Sequence, residues 1–198
     1  MSQYTEQKKE IVALSQKAMR QGLYAGTSGN MSLFDRANGN MLITPTSVPY
    51  EVLKPEQIVV MKLDGTIVEG NLNPSSEWRM HAAIYENFEN ISALFHTHSP
   101  YATAFAANRM TIPATLIEIN IFLGGELRCA PYAPPGTKEV GLNAIDALQG
   151  RYGCTLVNHG VLAVGTTLDE AYLRAEYIED AAKINAIAMS IGKPVEVK

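Results

Sequence analysis

Apolar residues recur at helical spacing in several segments of the chain, and the first of these lies near its start. In residues 5–21, Ile11, Leu14, Ala18 and Met19 fall on one side of a helix with 3.6 residues per turn. The same period, or a Ser or Pro residue at the expected helix start, predicts four further helices. These lie in "SSEWRMHAAIYENF", in "PYATAFAANR", and in residues 137–149 and 168–191.

Shorter runs of β-branched and apolar residues predict strands between these helices. Two strands flank the "ANGN" turn of "MSLFDRANGNMLITP", and two more flank Asp64 and Gly65 in "IVVMKLDGTIVEG". "ISALFHTH" is typical of a buried strand, and "CTLVNHGVLAVG" of one strand interrupted at His159 and Gly160. Residues 111–136 fit neither period, which predicts an irregular segment. The pattern as a whole predicts an α/β layered domain whose strands are antiparallel, and it leaves their order open.

Length and charge exclude several classes of protein. A chain of 198 residues with 46% hydrophobic residues is expected to form one domain over residues 1–198. The net charge is −4 and there is no basic cluster, so a nucleic-acid partner is not expected. No apolar run approaches ~18 residues, and the first residues lack a signal-peptide core, so no membrane segment and a cytoplasmic location are expected. Cys129 and Cys154 lack CxxC spacing and are expected to be buried free thiols.

Two of the four histidines lie two positions apart in "ALFHTHSPY". Side chains alternate along a strand, so His96 and His98 are expected to point the same way. His159 closes another predicted strand, and Gly160 behind it would allow a sharp turn. Three neutral imidazoles with one open position are typical of a catalytic Zn²⁺ site. The alternative is a pair of hydrogen-bonded strand histidines, and for His81 a hydrogen-bonding role in the core or on the helix surface is preferred.

Three segments could bind an anion without any lysine or arginine. "PSSEW" puts Ser75, Ser76 and Glu77 at a helix start, where free N–H groups face an anion, although the same residues could simply cap the helix. "GTSGN" (residues 26–30) combines permissive glycines with short hydroxyl donors, and "TPTS" (residues 44–47) offers three hydroxyl groups. Each is an ordinary turn by itself, but three such loops together suggest a phosphate held by neutral donors.

These motifs together resemble those of the class II aldolase/adducin family. The resemblance rests on "GTSGN", "MLITPTSVPYE", "PSSEWRMHAAIY", "HTH", "CAPYAPPGT" and "NHGVLAVG", in this order and spacing, and it covers about residues 8–192. It implies a central, mostly antiparallel β-sheet flanked by helices. It also implies a homotetramer with active sites near the subunit interfaces.

The resemblance further implies residue roles. One Zn²⁺ per subunit would be bound by His96, His98 and His159, with Glu77 as a fourth ligand that leaves the metal to act as acid/base. Substrate phosphate would be bound by neutral donors in the three loops, namely Gly29, Asn30, Thr46, Ser47, Ser75 and Ser76. The implied reaction is the reversible cleavage of a ketose 1-phosphate, first of all L-fuculose 1-phosphate, to dihydroxyacetone phosphate and L-lactaldehyde.

The chain departs from the pattern of fuculose-phosphate aldolases at the expected aldehyde end of the substrate. Ile117 stands where that group has a tyrosine, Pro135 where it has an aromatic residue, and the chain ends at Lys198, before a further tyrosine. Ser47 replaces a glycine. A 5-deoxy- or 5-methylthio-pentulose 1-phosphate is therefore an alternative substrate. Pentulose-5-phosphate 4-epimerisation within the same family is a second alternative, and an adducin-like scaffold without metal is disfavoured by the retained histidines and Glu77.

Overall fold

The computed structural model describes residues 2–197, in which helices and strands alternate along the chain. The α-helices are α1 Thr5–Arg20, α2 Trp78–Asn87, α3 Pro100–Ala107, α4 Ile117–Leu123, α5 Lys138–Leu148 and α6 Leu168–Ile191. The strands are β1 Asn30–Asp35, β2 Asn40–Ile43, β3 Val59–Met61, β4 Ile67–Glu69, β5 Ala93–Thr97, β6 Cys129–Ala130, β7 Gly153–Leu156 and β8 Gly160–Gly165. Short 3₁₀ turns at Tyr50–Val52 and Pro55–Gln57 connect β2 to β3.

All of these strands join one sheet in the order β4-β3-β2-β1-β5-β8-β7-β6. Every neighbouring pair is antiparallel except β6 with β7, so the prediction of a mostly antiparallel sheet is confirmed. The two predicted hairpins form as expected. Gly39 and Gly65 adopt φ values of 62° and 99° in their turns, a backbone conformation that glycine adopts without steric cost.

Helices cover both faces of the sheet because successive strand residues point to opposite sides. In β5, Phe95 packs with residues of α1, α3, α4 and α6 on one face. Its neighbour Leu94 packs with Met80 and Ile84 of α2 and with Val140 of α5 on the other face. The molecule therefore has three layers, helices on sheet on helices, as the resemblance implied.

The run "CTLVNHGVLAVG" forms two strands rather than one interrupted strand. β7 and β8 pair as an antiparallel hairpin, with Thr155 opposite Val161. Asn158 makes the reversal, with φ of 54°. Both strands are buried on both faces, so the apolar run carries no alternation that would have marked the turn.

The prediction of an irregular segment over residues 111–136 was wrong, because it contains α4 and β6. The β-branched residues of "IEINIFL" have modest helix propensity, and α4 is stabilised by burying Ile119 and Leu123 against the core. β6 is two residues long, too short to leave a periodic signal. The predicted serine cap of α2 was also wrong: the N-cap position is Glu77, and the helix begins at Trp78.

Cys129 and Cys154 are both free thiols, as expected. The prediction that both are buried was wrong for Cys129, which is partly exposed. Among residues 2–197, no helix combines the length and the apolar character needed to cross a bilayer.

Candidate metal centre

Three separate elements of the fold bring Glu77, His96, His98 and His159 together. His96 lies in β5 and His98 just beyond its last residue, where the His98 N–H donates to the Leu23 carbonyl at 3.1 Å. His159 lies in the turn that precedes β8, the neighbour of β5. Glu77 reaches the same point from the N-terminus of α2. One potential ligand atom from each side chain lies within 4.8 Å of all the others.

The contacts inside this cluster bring the carboxylate and the imidazole nitrogens within hydrogen-bond distance of one another. Glu77 Oε2 lies 3.0 Å from His96 Nε2, Glu77 Oε1 lies 3.0 Å from His159 Nε2, and the Nε2 atoms of His96 and His98 are 3.0 Å apart. His96 Nδ1 lies 2.8 Å from the Val161 carbonyl, to which it donates its hydrogen. On its other side, His96 Nε2 faces the carboxylate and a second imidazole.

This donor set fits a divalent metal ion. Three imidazole nitrogens and one carboxylate match the ligands that Zn²⁺ and similar ions take in catalytic sites. The carbonyl that orients His96 is the kind of outer contact that metal-bound histidines normally have. In addition, Glu77 Oε1 is buried without a hydrogen-bond donor among the described residues, a costly state that a cation would relieve.

The electrostatics favour the protonation states that metal binding requires. Burial alone would raise the pKa of Glu77, but the imidazoles of His96 and His159 outweigh it and hold that pKa well below its usual range. Burial, together with His96 and His159, lowers the pKa of His98 to about 4. At neutral pH the carboxylate is therefore ionised and the His98 imidazole is neutral.

Two glycines permit the close packing around the imidazoles. A Cβ atom on Gly160 would lie 2.4 Å from the Thr97 carbonyl oxygen and 3.0 Å from His96 Cε1. A Cβ atom on Gly29 would lie 2.4 Å from the Tyr24 ring, and this residue also has φ of 94°. The predicted turn role of Gly160 was wrong, because its φ is not in the left-handed region; the glycine is required by close approach.

A cleft of about 400 Å³ opens from the cluster to the three predicted anion loops. It is lined by Glu77, His98 and His159 and by all six residues predicted to bind phosphate: Gly29, Asn30, Thr46, Ser47, Ser75 and Ser76. His96 lies behind this surface and is fully buried.

The cleft is also lined by Thr27, Ser28 and Pro45, which lie within the predicted anion loops, and by Gly136, which the sequence did not mark as part of the site. Gly136 has φ of 82°, and a Cβ atom there would lie 3.3 Å from the Ser76 carbonyl oxygen. Its "PPG" context was the available signal.

Backbone hydrogen bonds hold the anion loops against each other. The Thr46 N–H donates to the Asn73 carbonyl at 3.1 Å, and the Ser75 N–H donates to the Thr44 carbonyl at 3.0 Å. The Tyr50 hydroxyl donates to the Gly29 carbonyl at 2.6 Å. The backbone of each loop is thus held in place before any ligand binds, which lowers the entropic cost of binding.

Comparison with known proteins agrees with this geometry. The family model for the class II aldolase and adducin N-terminal domain matches residues 9–186. A 5-deoxy-D-ribulose 1-phosphate aldolase of Bacillus thuringiensis is 41% identical over 189 residues, 96% of this chain and 88% of the relative. An L-fuculose phosphate aldolase of Escherichia coli K12 is 36% identical over 189 residues, 96% of this chain and 86% of the relative.

The fold comparison points the same way. A solved structure of an L-fuculose 1-phosphate aldolase superposes with a TM-score of 0.94 at 39% identity, covering 100% of this chain and 92% of the other. Three findings agree with one another: the family model matches most of the chain, the relatives are more than one-third identical, and the fold is the same. The chain therefore belongs to the class II aldolase and adducin family and is one of its metal-dependent lyases.

Proposed function

We propose that this protein is a zinc-dependent aldolase that reversibly cleaves a ketose 1-phosphate between C3 and C4. The products are dihydroxyacetone phosphate and a short aldehyde. The observation that carries the proposal is the cleft that joins a His₃Glu centre to three loops of neutral hydrogen-bond donors. Such a cleft suits a substrate with a phosphate at one end and adjacent carbonyl and hydroxyl oxygens at the other.

The metal would be held by His96, His98, His159 and, in the resting state, Glu77. The N₃O donor set supports Zn²⁺ as the ion, one per subunit. When bound, this ion supplies Lewis-acid stabilisation of negative charge on the substrate carbonyl oxygen.

The residues of the chain would position the substrate and move one proton. The phosphate would be bound by the N–H groups of Gly29 and Asn30 and by polar groups of Thr46, Ser47, Ser75 and Ser76. Binding the phosphate in this way would fix the reacting carbon beside the metal centre. Glu77, ionised and next to the imidazoles, would hold and move the proton at C3 of the dihydroxyacetone phosphate fragment. Cleavage also releases the proton of the C4 hydroxyl group, which would pass to a separate base.

L-Fuculose 1-phosphate is the first proposed substrate, and a 5-deoxypentulose 1-phosphate is the second. The second substrate is favoured by the cleft wall, because Pro135 there offers no hydrogen bond from its ring to the extra hydroxyl group of lactaldehyde. Ile117, in place of a tyrosine, removes another hydroxyl group from the aldehyde end that the resemblance implies. The similarity to a 5-deoxy-D-ribulose 1-phosphate aldolase adds support.

A cleavage assay tests the proposal. Dihydroxyacetone phosphate release is coupled to NADH oxidation with L-fuculose 1-phosphate, L-ribulose 1-phosphate, D-ribulose 1-phosphate and 5-deoxyribulose 1-phosphate. We expect release that stops after chelation and returns with Zn²⁺. Faster turnover of the 5-deoxy sugar would support the proposed reaction but make that sugar the preferred substrate. If the zinc-loaded protein released dihydroxyacetone phosphate from none of the sugars, the aldolase proposal would be overturned. An epimerase assay on a pentulose 5-phosphate would then be the next experiment.

A further inference from the structure

A second set of polar residues lies directly behind Glu77, buried between α2 and β1. Asn30 and Ser32 are two positions apart on one face of β1, and Glu77, His81 and Tyr85 follow each other at intervals of four along one side of α2. All five are buried, and His81 and Ser32 are fully so. The period of the strand and the period of the helix therefore place two polar rows opposite each other.

Hydrogen bonds connect these residues in one continuous chain. Asn30 Nδ2 donates to Glu77 Oε2 at 3.1 Å, and Asn30 Oδ1 lies 2.5 Å from His81 Nε2. On the other side of the imidazole, His81 Nδ1 lies 2.6 Å from Ser32 Oγ, and Ser32 Oγ lies 2.6 Å from the Tyr85 hydroxyl. Each polar atom of the imidazole therefore has a partner.

The direction of these hydrogen bonds follows from the Glu77 end. The carboxylate of Glu77 can only accept, so the NH₂ group of Asn30 faces it and Oδ1 faces His81. His81 must then carry its hydrogen on Nε2, and Nδ1 accepts from the Ser32 hydroxyl. Burial, with a contribution from His96, lowers the pKa of His81 to about 3, so the ring is neutral and holds one hydrogen. At the end of the chain away from Glu77, the Tyr85 hydroxyl donates to Ser32 Oγ.

Without His81, the Asn30 side chain would be held at one end only, by Glu77. The two ends of an amide group have nearly the same shape, and the neighbouring donors and acceptors distinguish them. If His81 offered no donor, Asn30 Oδ1 would be buried without a partner, which is costly. The amide that donates to Glu77 Oε2 would then be held less firmly, and with it the carboxylate.

We propose that His81 is a positioning residue for Glu77, which acts through Asn30 and is itself held in the Nε2–H form by Ser32 and Tyr85. Its catalytic consequence rests on the proposed function, since it is Glu77 that would move the proton. Its structural consequence, a carboxylate fixed for metal binding, does not depend on any substrate.

Two variants separate positioning from packing. In His81→Phe the ring is retained and the donor is lost, whereas in His81→Gln an amide N–H can occupy the place of Nε2–H. Outer partners of metal ligands typically contribute about 10- to 100-fold to metal affinity or activity. We therefore expect His81→Phe to bind Zn²⁺ about 10-fold more weakly and, at saturating Zn²⁺, to lose about 10-fold in kcat with little change in KM. His81→Gln is expected to recover most of both losses.

Two measurements keep the test independent of folding and of activity. Two-bond ¹H–¹⁵N spectra of the zinc-free wild type are expected to show His81 as the Nε2–H tautomer. Ile84→Ala, a buried apolar change on the same helix away from the chain of hydrogen bonds, controls for simple destabilisation and is expected to keep wild-type Zn²⁺ affinity. If His81→Phe does not fold, Ser32→Ala and Tyr85→Phe take its place, with smaller losses in the same two quantities.

The possible results are distinguishable. An Nδ1–H tautomer in the wild type, or wild-type Zn²⁺ affinity and kcat in the His81→Phe protein, would overturn the positioning role. Loss of Zn²⁺ affinity in Ile84→Ala equal to that of His81→Phe would also overturn it, because packing alone would explain both. Absence of aldol cleavage by the wild type would contradict the proposed function only, since the tautomer and the Zn²⁺ titration use no substrate.

Discussion

Glu77 contacts histidines at the ends of two different strands. Its two oxygens lie 3.0 Å from His96 and 3.0 Å from His159, and Asn30 holds Oε2 from behind. An amide in place of this carboxylate would keep the shape and the ability to contact the metal. It would lose the capacity to take up and release a proton.

We therefore expect Glu77→Gln to retain the metal and to lose about 10²-fold or more in kcat, the usual contribution of a general acid/base. Metal content is measured by atomic absorption and turnover by the coupled assay. Glu86→Gln is the matched control, because Glu86 lies on the same helix but pairs with Lys138 on the surface. Full activity in Glu77→Gln with metal bound would contradict the acid/base role.

A single methyl group at Gly160 should disturb the centre. In Gly160→Ala the new Cβ atom would lie 2.4 Å from a backbone carbonyl, so β5 and β8 must separate or the imidazoles must shift. Overpacking of this kind destabilises proteins by about 1–3 kcal/mol, and we also expect weaker Zn²⁺ binding. Urea unfolding and Zn²⁺ titration measure the two effects. Gly192→Ala, where no atom lies within 4 Å of the new Cβ, should change neither.

At the scale of elements, α6 fixes the start of α3 and with it the segment that carries His98. Glu179 of α6 accepts hydrogen bonds from the backbone N–H groups of Tyr101 and Ala102, both at 2.9 Å. These are the free donors of the first turn of α3, which begins two residues after His98. A carboxylate from a distant helix thus replaces the side-chain cap that Ser99 does not make.

Removing the Glu179 carboxylate should lower the free energy of unfolding by about 1 kcal/mol, the usual contribution of a helix N-cap. We expect urea unfolding of Glu179→Ala to show this decrease. Glu179→Gln keeps one acceptor oxygen and should show a smaller decrease. Weaker Zn²⁺ binding in Glu179→Ala would indicate that the cap also steadies His98. Equal stability of wild type and Glu179→Ala would show that water replaces the carboxylate without cost.

At the scale of the whole molecule, burial of neutral histidine makes stability depend on pH. The pKa of His81 is lowered from 6.5 to about 3 in the folded protein, so below about pH 6.5 the unfolded chain takes up a proton that the folded protein excludes. The contribution of His81 to the free energy of unfolding is thus fully present above that pH. It decreases as the pH falls, by up to about 1.4 kcal/mol per pH unit. In zinc-free protein between about pH 6.5 and 5, the free energy of unfolding measured in urea should change less steeply with pH in His81→Gln, by up to this amount. Equal slopes would contradict the assignment.

The surface leads to a prediction about assembly. Ile117 and Ile121, four residues apart on α4, are 59% and 62% exposed. Large apolar side chains exposed next to each other commonly mark interfaces, which supports the homotetramer that the family resemblance implies. Analytical ultracentrifugation is expected to give the mass of four chains. Ile121→Glu should dissociate them, whereas Val195→Glu, at a position 80% exposed in the C-terminal segment, should not. A monomeric wild type would contradict the prediction.

Much of the fold could be predicted from local patterns. Helices with clear apolar faces, such as α1 and α5, and hairpins with glycine turns were located to within a residue or two, because period and turn chemistry are local properties. Elements without such signals were missed. α4 is stabilised by tertiary burial of Ile119 and Leu123, and the β7–β8 reversal lies in a run that is apolar throughout.

The candidate centre shows the same division. By itself the sequence determined that His96 and His98 share one direction, because strand geometry fixes side chains two apart, and that three loops contain short donors. Only the tertiary structure brought Glu77 and His159 to the same point, since this depends on the pairing of β5 with β8 and on the packing of α2. The hydrogen-bond chain through His81 likewise joins residues two positions apart in β1 to residues four positions apart in α2. These two rows become neighbours only when the helix packs on the sheet, because contacts between distant segments are decided by packing rather than by local sequence.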